Sequence, residues 1–388
     1  MKSNITFISA AIMIAALTQG CETSENGNIP MIGVGLEDAY YIPRMQKLPL
    51  RSELTGENYE WELTTPAGET SVVSRSRSYI FLEAEEGKYP LVLRIYGDDG
   101  VFTASTTVNV MHEEIEYSPY ISKVYEYRPA PGQFVNQMPM YEEGDTYATM
   151  LSKAERCIKG TADELITLGG WGGYVTFGFD HTVVADPSSP ELRIWGNAFY
   201  NSGYDGQGGS AEPGIIMVCF DENCNGVPDD TWYELAGSEF ADTERGYAMT
   251  YLRPATENGA IRWTDNTGNS GTIPHLPFHR NGYFPMWIQD EELTFNGSLL
   301  PSNGSLAPGS STDYILQSYP WGYADNHPNS ETALNSFSFS NARDISGAPV
   351  CLQGVDFVRV YTGVNQICGA IGETSTEISR AADLNLLR

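Results

Sequence analysis

Short runs in which apolar and polar residues alternate recur along most of the chain, and this feature constrains the fold most strongly. In the first third the runs lie at 59–63, 79–82, 89–96 and 102–110, with turn residues between them. Alternation places every second side chain on the same face of a strand, and short strands at this spacing are typical of β-sandwiches. We expect Trp61, in the middle of its run, to anchor the core of this first unit.

The same pattern fills the rest of the chain, where long loops rich in glycine, asparagine, proline and aromatic residues separate the runs. The runs lie at 122–127, 174–179, 192–195, 215–220, 337–339 and 355–361. The longest loops are 196–213, 264–287 and 316–335. Loops of this length in a compact β domain usually carry function, and the arrangement favours a jelly-roll-like sandwich.

One segment has helical periodicity instead. Its apolar residues recur at helical spacing: Tyr147, Met150, Leu151, Ala154 and Ile158. Asp145 is the expected N-cap of this helix and Gly160 its expected end. The sequence therefore predicts a mainly β protein: an Ig- or PKD-like β-sandwich over residues 29–112, then a larger jelly-roll-like β-sandwich with one helix and long loops over residues 113–388. The first unit resembles PKD-like spacer domains of bacterial surface proteins, which implies that it holds the second unit away from a membrane.

The N-terminus has the features of an export signal. Lys2 precedes an apolar stretch that is too short to span a bilayer, and Gly20 stands directly before Cys21. This order indicates a signal peptide over residues 1–20, and the small residue before the cysteine favours cleavage by a lipoprotein signal peptidase. We expect lipidation of Cys21, a flexible tether over residues 21–28 and a surface-exposed position on the outer membrane. Plain secretion is the alternative.

The charge of the chain bears on its partners. It contains 22 lysine and arginine residues against 50 aspartate and glutamate residues, which gives a formal net charge of −28. A chain this acidic repels nucleic acid and anionic membrane surfaces. We therefore expect no nucleic-acid partner and contact with the membrane only through the lipid anchor. The hydrophobic fraction of 41% is enough for a large core, so the charge indicates surface solubility rather than disorder.

Five cysteines follow Cys21, and their spacings match no zinc or redox motif. Cys219 lies in an apolar run, so we expect it to be a small buried residue. Cys351 and Cys368 could form a disulfide, although nothing in the sequence requires it.

The sharpest local motif is Asp221-Glu222-Asn223-Cys224-Asn225-Gly226-Val227-Pro228-Asp229-Asp230. Oxygen-bearing side chains at alternate positions and a glycine at the sixth repeat the first half of a calcium-binding loop. Trp232 stands where an EF-hand has its last glutamate, so we expect a hairpin loop that wraps a structural Ca²⁺. The expected ligands are Asp221, Asn223, Asn225, Val227, Asp229 and Asp230. A turn rich in asparagine and aspartate, without metal, is the alternative.

The sequence contains no nucleophile elbow, HExxH, P-loop or Rossmann glycine motif. A glycosidase-like pair chosen from fifty acidic residues would be arbitrary. We therefore expect a binding protein rather than an enzyme. Aromatic residues in the long loops offer flat, rigid contact faces to a ligand, and their alternative role is to pack the loops against the sheet.

Several segments between residues 115 and 388 resemble the BtuH-type surface lipoproteins of vitamin B12 uptake loci in Bacteroidetes. The segments that carry the resemblance are 169–181, 196–199, 212–214, 221–239, 321–326 and 356–363. The resemblance implies capture of cobalamin outside the outer membrane. It also implies transfer of that cobalamin to a BtuB-type TonB-dependent transporter, beside other surface lipoproteins that bind vitamin B12.

A corrin has a broad apolar face fringed by amides, so it requires aromatic walls with amide and backbone partners. The loop residues with this chemistry are Tyr200, Asn201, Tyr204, Gln207, Asn266, Asn269, Asn281, Tyr283, Phe284, Trp287 and Trp321. Aromatic loops on a calcium-bearing sandwich are also typical of carbohydrate-binding modules. A calcium-bearing carbohydrate-binding module, or a glycan-active hydrolase on the cell surface, is therefore the competing interpretation.

Overall fold

The computed structural model of the protein describes residues 34–98, 100–201 and 208–388. The predicted signal peptide, the tether and Cys21 lie outside the described residues, as do Tyr204 and Gln207. No helix in the described part of the chain is long and apolar enough to cross a membrane.

The first unit is a sandwich of two sheets. Its strands are β1 (Ala39–Pro43), β2 (Leu48–Arg51), β3 (Asn58–Thr64), β4 (Thr70–Ser74), β5 (Ser78–Phe81), β6 (Gly87–Gly97) and β7 (Gly100–Met111). One sheet has the order β1-β7-β6-β3-β4, and β2 pairs with β5 in the other. Both sheets contribute to one apolar cluster around Trp61, which is fully buried and donates its indole N–H to the carbonyl of Ser76. The prediction that Trp61 anchors this core is confirmed.

The second unit has nineteen strands, one α-helix and two short 3₁₀ helices among the residues that the structure describes. In chain order they are β8 (Lys123–Arg128), α1 (Tyr147–Ile158), β9 (Ile166–Thr167), β10 (Tyr174–Val184), β11 (Leu192–Trp195), β12 (Phe199–Tyr200), β13 (Gly208–Ser210), β14 (Gly214–Cys219), β15 (Trp232–Leu235), β16 (Glu244–Leu252), β17 (Ile261–Asp265), β18 (Ser270–Ile273), β19 (Glu292–Leu299), β20 (Gly304–Leu306), β21 (Tyr314–Gln317), β22 (Ser336–Phe337), the 3₁₀ helix Phe339–Asn341, β23 (Ala342–Arg343), β24 (Gly354–Thr362), the 3₁₀ helix Gly369–Ile371, β25 (Glu377–Ile378) and β26 (Arg380–Asp383). The prediction of a mainly β fold with one helix is confirmed.

A six-stranded sheet in the order β23-β15-β14-β24-β10-β8 forms the centre of the second unit. On one face of this sheet Val175, Phe177, Ile216, Val218 and Val358 are fully buried in the main core. Because side chains alternate along a strand, the intervening residues point to the opposite face. A second sheet, in the order β18-β17-β16-β19, also contributes side chains to the main core. The core of the first unit is a separate apolar cluster.

Helix α1 lies where its periodicity predicts, but its N-cap differs from the expectation. The hydroxyl of Thr146, not the carboxylate of Asp145, accepts the N–H of Thr149. Asp145 instead accepts the N–H of Glu142 and forms an ion pair with Lys153 at 2.6 Å. Asp145 lies one residue too early to cap the helix. Its carboxylate instead pairs with Lys153, which lies further along the helix.

The long loops contain more regular structure than the sequence indicated. Strands β12 and β13 interrupt the loop at 196–213, and β18 interrupts the loop at 264–287. These strands have two to four residues, which is too short for a period of two to be visible in the sequence.

The five described cysteines are free thiols, so Cys351 and Cys368 do not form a disulfide in this structure. Cys351 is exposed whereas Cys368 is buried. Cys219 is fully buried, which confirms its expected role as a small core residue.

Candidate functional site

A cleft of about 650 Å³ lies on the face of the six-stranded sheet that is turned away from the main core. All six strands contribute to its floor: Arg343 on β23, Trp232 and Glu234 on β15, Met217 on β14, Arg359 and Tyr361 on β24, Tyr174 on β10, and Arg128 on β8. Neighbouring strands are about 4.8 Å apart, so five intervals make the floor about 24 Å long. The cleft is therefore elongated and runs across the strands.

Strand register aligns six residues of this sheet in a single cross-strand row, of which the first four line the cleft. From edge to edge the row contains Arg343, Glu234, Met217, Arg359, Thr176 and Glu126. Directly paired residues of antiparallel strands lie side by side on one face. Guanidinium donors, carboxylate acceptors and a hydroxyl are therefore interleaved along the row.

Arg359 holds the centre of the floor in a fixed arrangement. Its guanidinium carbon lies 4.4 Å from the ring centroid of Tyr174 and 4.4 Å from that of Trp232. Its Nε donates to Thr176 Oγ1 at 2.9 Å, and its Nη2 donates to Glu126 Oε2 at 2.5 Å. A planar guanidinium that stacks on two rings and is anchored by two hydrogen bonds fixes the orientation of both rings. The aromatic part of the floor is therefore preorganised.

Glu234 is a partly buried carboxylate of this cleft. Ser298 Oγ donates to its Oε2 at 2.6 Å. Burial raises the pKa of Glu234 above its ordinary value, although this hydrogen bond and the charge of Arg245 act in the opposite direction. The protonated form of such a carboxyl can donate a hydrogen bond, and its ionised form can only accept one. Glu234 can thus serve as a donor or an acceptor toward a ligand.

The rim of the cleft combines a rigid turn with an exposed apolar side chain. Asp344 Oδ1 accepts the N–H of Ser346 at 2.8 Å and the N–H of Ala348 at 2.9 Å, and the Ser346 hydroxyl also donates to it. These bonds, with the hydroxyl bond as the largest cause, hold the pKa of Asp344 below its ordinary value. Ile345 in this turn is 99% exposed and lines the cleft.

The charges that line the cleft are balanced, in contrast to the chain as a whole. Four arginines and four acidic residues line it: Arg128, Arg245, Arg343, Arg359, Glu234, Asp290, Glu292 and Asp344. The whole chain has a formal net charge of −28. The site therefore offers both donors and acceptors without a strong field of either sign.

Of the aromatic residues that the sequence predicts to contact a corrin ligand, the five that the structure describes do not line this cleft. Tyr283, Phe284 and Trp287 are 0%, 4% and 6% exposed and belong to the main core. The Trp287 ring stacks with those of Tyr127 and Tyr141 at centroid distances of 6.2 and 6.3 Å. In this structure the three side chains stabilise the fold, which is the alternative role of loop aromatics.

Three of the assigned amides bond to neighbouring loop segments. Asn266 donates to the carbonyl of Gly246, Asn269 donates to Asp265 Oδ2, and Asn281 donates to the carbonyl of Gln133. Asparagine is frequent in loops because its short amide can replace missing backbone partners. Hydrogen bonds within the fold are thus an alternative to ligand contact for these asparagines. The same local sequence predicts both roles.

Tyr200, Asn201 and Trp321 lie away from the cleft in two other loops. The hydroxyl of Tyr200 is 2.8 Å from Nδ1 of His327, which joins the loop at 196–213 to the loop at 316–335. Trp321 is 43% exposed. Contact between these residues and a ligand stays a prediction.

The loop at 221–230 is organised by hydrogen bonds among its own side chains and backbone. Asp221 accepts the N–H groups of Asn225 and Gly226. The side-chain amides of Asn223 and Asn225 donate to Asp229. Val227 and Asp230 are the remaining predicted ligands, and the assignment of Ca²⁺ to the six residues stays a prediction.

A different group of carboxylates is close enough to share a proton or a cation. Oxygens of Glu212, Asp325 and Glu377 all lie within 4.8 Å of one another, and the three residues are buried. Burial, and for Glu212 and Glu377 also the charge of the neighbouring carboxylates, raises the pKa of each of them. Backbone N–H groups of Asn197 and Ala198 donate to Asp325. No local sequence motif indicates this cluster, since its members are more than fifty residues apart.

Comparison with known proteins identifies no family for the chain. No family model matches it, and no curated protein matches it. Among solved structures, a SusE-like protein is 9% identical with a TM-score of 0.26, covering 88% of this chain and 94% of that protein. A structure of carbohydrate-binding modules from the β-sandwich superfamily is 8% identical with a TM-score of 0.14, covering 88% and 91%.

Proposed function

We propose that the protein binds an extended, uncharged carbohydrate chain in the cleft across the six-stranded sheet. The observation that carries this proposal is the composition of the floor, in which aromatic rings and interleaved polar groups extend over about 24 Å. The C–H faces of sugar rings pack against aromatic side chains, and their hydroxyl groups require both donors and acceptors. The balanced charge of the cleft favours a neutral ligand over an ionic one.

The shape of the cleft supports a chain rather than a compact ligand. A volume of about 650 Å³ lies within the range of ordinary ligand sites. All six strands of the sheet line this volume, so a ligand that fills the cleft contacts residues from one edge of the sheet to the other. A linear oligosaccharide can occupy such a site along its whole length, whereas a broad disc-shaped molecule can contact only part of it.

Affinity electrophoresis in gels that contain single neutral polysaccharides tests the proposal. We expect at least one of a panel of β-glucans, xylans, mannans and galactans to retard the protein relative to bovine serum albumin. The reducing ends of the retarding polysaccharide should stay constant during overnight incubation, because binding is proposed without cleavage. Released oligosaccharides would show that the protein is a hydrolase. Unchanged mobility in every gel would contradict carbohydrate binding.

Cobalamin is the second candidate ligand, since the sequence resembles cobalamin-capturing lipoproteins. The observation in its favour is the exposure of Phe199 and Trp321, at 57% and 43%, in two of the loops that the resemblance covers. In that case the corrin binds outside the cleft, and a TonB-dependent transporter with other surface lipoproteins receives it. A change in the visible spectrum of cyanocobalamin on mixing with the protein would support this candidate.

We also propose that the protein is a surface lipoprotein of the outer membrane, anchored through Cys21. The signal-peptide pattern and the Gly20-Cys21 junction support this position. Cys21→Ala should remove the lipid and release the protein from the membrane fraction. Ser24→Ala, in the same tether, is the matched control and should stay with the membrane. Continued membrane association of the Cys21 variant would contradict the anchor.

A further inference from the structure

Strand β19 is an edge strand of its sheet and forms one wall of the cleft. The sheet has the order β18-β17-β16-β19, so β19 pairs with β16 on one side only. All seven residues from Glu292 to Ser298 line the cleft. The edge of a sheet presents backbone N–H and C=O groups that have no strand partner. The cleft therefore has a wall that offers backbone as well as side chains.

The register of β19 shows which of its residues direct their backbone groups away from β16. The N–H of Ala248 on β16 donates to Asn266 Oδ1, and its carbonyl accepts the N–H of Asn266, both at 3.0 Å. Ala248 thus bonds on the side of β17, and its partner Asn296 on β19 receives no bond from it. The backbone groups of Asn296 point to the free edge, and by alternation those of Thr294 and Glu292 do so as well.

Ser298, which follows in the same alternation, shows this direction directly. Its N–H donates to the hydroxyl of Tyr361 at 2.8 Å, and its carbonyl accepts the indole N–H of Trp171 at 3.2 Å. Among the residues that the structure describes, none bonds to the outward backbone groups of the other three. Three N–H and three C=O groups are therefore open to a ligand, with about 6.8 Å between successive positions.

Strand β19 runs along the cleft, across the strands of the floor. Near its end, Ser298 Oγ donates to Glu234 on β15. Three residues earlier, the ring of Phe295 lies 6.5 Å from that of Tyr174 on β10. Two other strands of the floor separate β15 from β10. A ligand that extends along the floor therefore lies beside the free edge of β19.

We propose that the free edge of β19 binds hydroxyl groups of the carbohydrate chain through the backbone N–H and C=O groups of Glu292, Thr294 and Asn296. This inference rests on the proposed function and assigns the groups that hold the chain along the floor. A sugar hydroxyl can accept a hydrogen bond from an N–H and donate one to a C=O. Backbone groups carry no net charge, which agrees with a neutral ligand.

A polypeptide strand fits this edge less well than a carbohydrate chain does. Addition of a strand uses a continuous run of backbone hydrogen bonds along an edge. On β19 this run ends at Ser298, where Tyr361 and Trp171 already bond to both backbone groups. Separate hydroxyl groups need no continuous run, so three open positions are enough for a carbohydrate chain.

Thr294→Pro in the full chain tests this proposal. Proline removes the outward N–H, and sheet edges tolerate it where the N–H faces away from the neighbouring strand. Its affinity for a hexasaccharide of the retarding polysaccharide should fall about tenfold in calorimetric titration, as for one lost hydrogen bond. Thr272→Pro is the matched control, because Thr272 lies on β18, the opposite edge of the same sheet, and does not line the cleft. Thr294→Val keeps the N–H and should keep the affinity.

Hydrogen exchange followed by NMR gives a second measurement, which holds even if Thr294→Pro does not fold. In the wild-type protein without ligand, the N–H groups of Glu292, Thr294 and Asn296 should exchange faster than those of Leu293 and Phe295, which face β16. Saturating hexasaccharide should slow exchange at the three outward positions by about tenfold or more.

The outcomes separate this inference from the proposed function. Hexasaccharide binding with unchanged exchange at the outward positions, or an equal loss of affinity in the two proline variants, would overturn the inference and leave carbohydrate binding in place. Absence of binding to every polysaccharide would contradict both. Slower exchange with a six-residue peptide of alternating threonine and valine, but not with the hexasaccharide, would make the edge a site for strand addition instead.

Discussion

Trp232→Ala is expected to weaken binding of the retarding polysaccharide about a hundredfold, which corresponds to about 2.7 kcal/mol. Trp232 forms part of the cleft floor, and its ring lies against the guanidinium of Arg359. Removal of the ring deletes an aromatic surface for a sugar and leaves one face of Arg359 uncovered. Isothermal titration calorimetry with an oligosaccharide of that polysaccharide measures the loss.

Two other substitutions separate a loss of contact from a loss of fold. Trp232→Phe keeps an aromatic ring and should recover a large part of the affinity. Trp321→Ala removes a tryptophan that is 43% exposed and does not line the cleft, so it should leave carbohydrate affinity unchanged. A Trp321 variant that loses affinity while the Trp232 variant keeps it would place the ligand in the 316–335 loop.

The melting temperature of the protein is expected to fall as the pH rises from 5 to 8. Glu212, Asp325 and Glu377 are buried together, and burial raises the pKa of each. Burial also raises the pKa of nearby Glu373 to about 7. An acid whose pKa is raised by folding contributes full stability below its unfolded pKa, and this contribution is lost as the pH rises through the folded value. The loss therefore begins above about pH 4.5 and continues through pH 7.

The expected size of this effect is large for a side-chain titration. A pKa shift of one unit corresponds to about 1.4 kcal/mol, so the shift of Glu373 alone amounts to about 3 kcal/mol at pH 8. For a unit of this size we expect the melting temperature to fall by about 5–10 °C between pH 5 and pH 8. Differential scanning calorimetry in EDTA measures the fall without a divalent cation at the cluster.

Glu377→Gln provides the specific test of the buried cluster. The amide keeps an oxygen that can accept the hydroxyls of Thr167 and Ser375, which bond to Glu377 in this structure. Because glutamine does not titrate, the variant should lose less stability between pH 5 and pH 8. Glu143→Gln replaces an exposed glutamate and should keep the wild-type slope. A melting temperature that rises with pH in the wild type would contradict buried, protonated carboxyls.

The fold class follows from local sequence patterns because the signals for strands and helices extend over a few residues. The run at 192–195 coincides with strand β11, and the periodicity at 147–158 coincides with helix α1. The expected N-cap lies one residue before the observed one because Asp145 and Thr146 are both good capping residues. Only the hydrogen bond to Thr149 distinguishes them.

The cleft could not be predicted in the same way, because it depends on strand register. Arg128, Glu234 and Arg359 are separated by more than a hundred residues along the chain and share one face through antiparallel pairing. The outward positions of β15 and β24, with Trp232, Glu234 and Arg359, give a weak signal for the site. Such a signal indicates that a strand position faces solvent. It does not indicate which strand lies next to it in the sheet.

Aromatic and amide side chains in loops have two uses, ligand contact and packing of the fold, and the sequence alone does not separate them. Tyr283 is fully buried and bonds to the backbone N–H of Leu276, so its hydroxyl serves the fold. A buried tyrosine with a satisfied hydroxyl and a tyrosine at a ligand site have the same local sequence. Burial, which depends on the packing of distant segments, distinguishes the two.

The affinity of neutral oligosaccharides as a function of their length tests the proposed function most directly. Calorimetric titration of the wild-type protein with one to six sugar residues of the retarding polysaccharide should show affinity that rises with each added residue. The rise should end once the chain spans about 24 Å, the length of the six-stranded floor. If the cleft binds carbohydrate as proposed, the same titration with cyanocobalamin should give no heat. A monosaccharide that binds as tightly as the hexasaccharide would contradict an extended carbohydrate site. Heat on titration with cyanocobalamin, together with no heat from any oligosaccharide, would also contradict it.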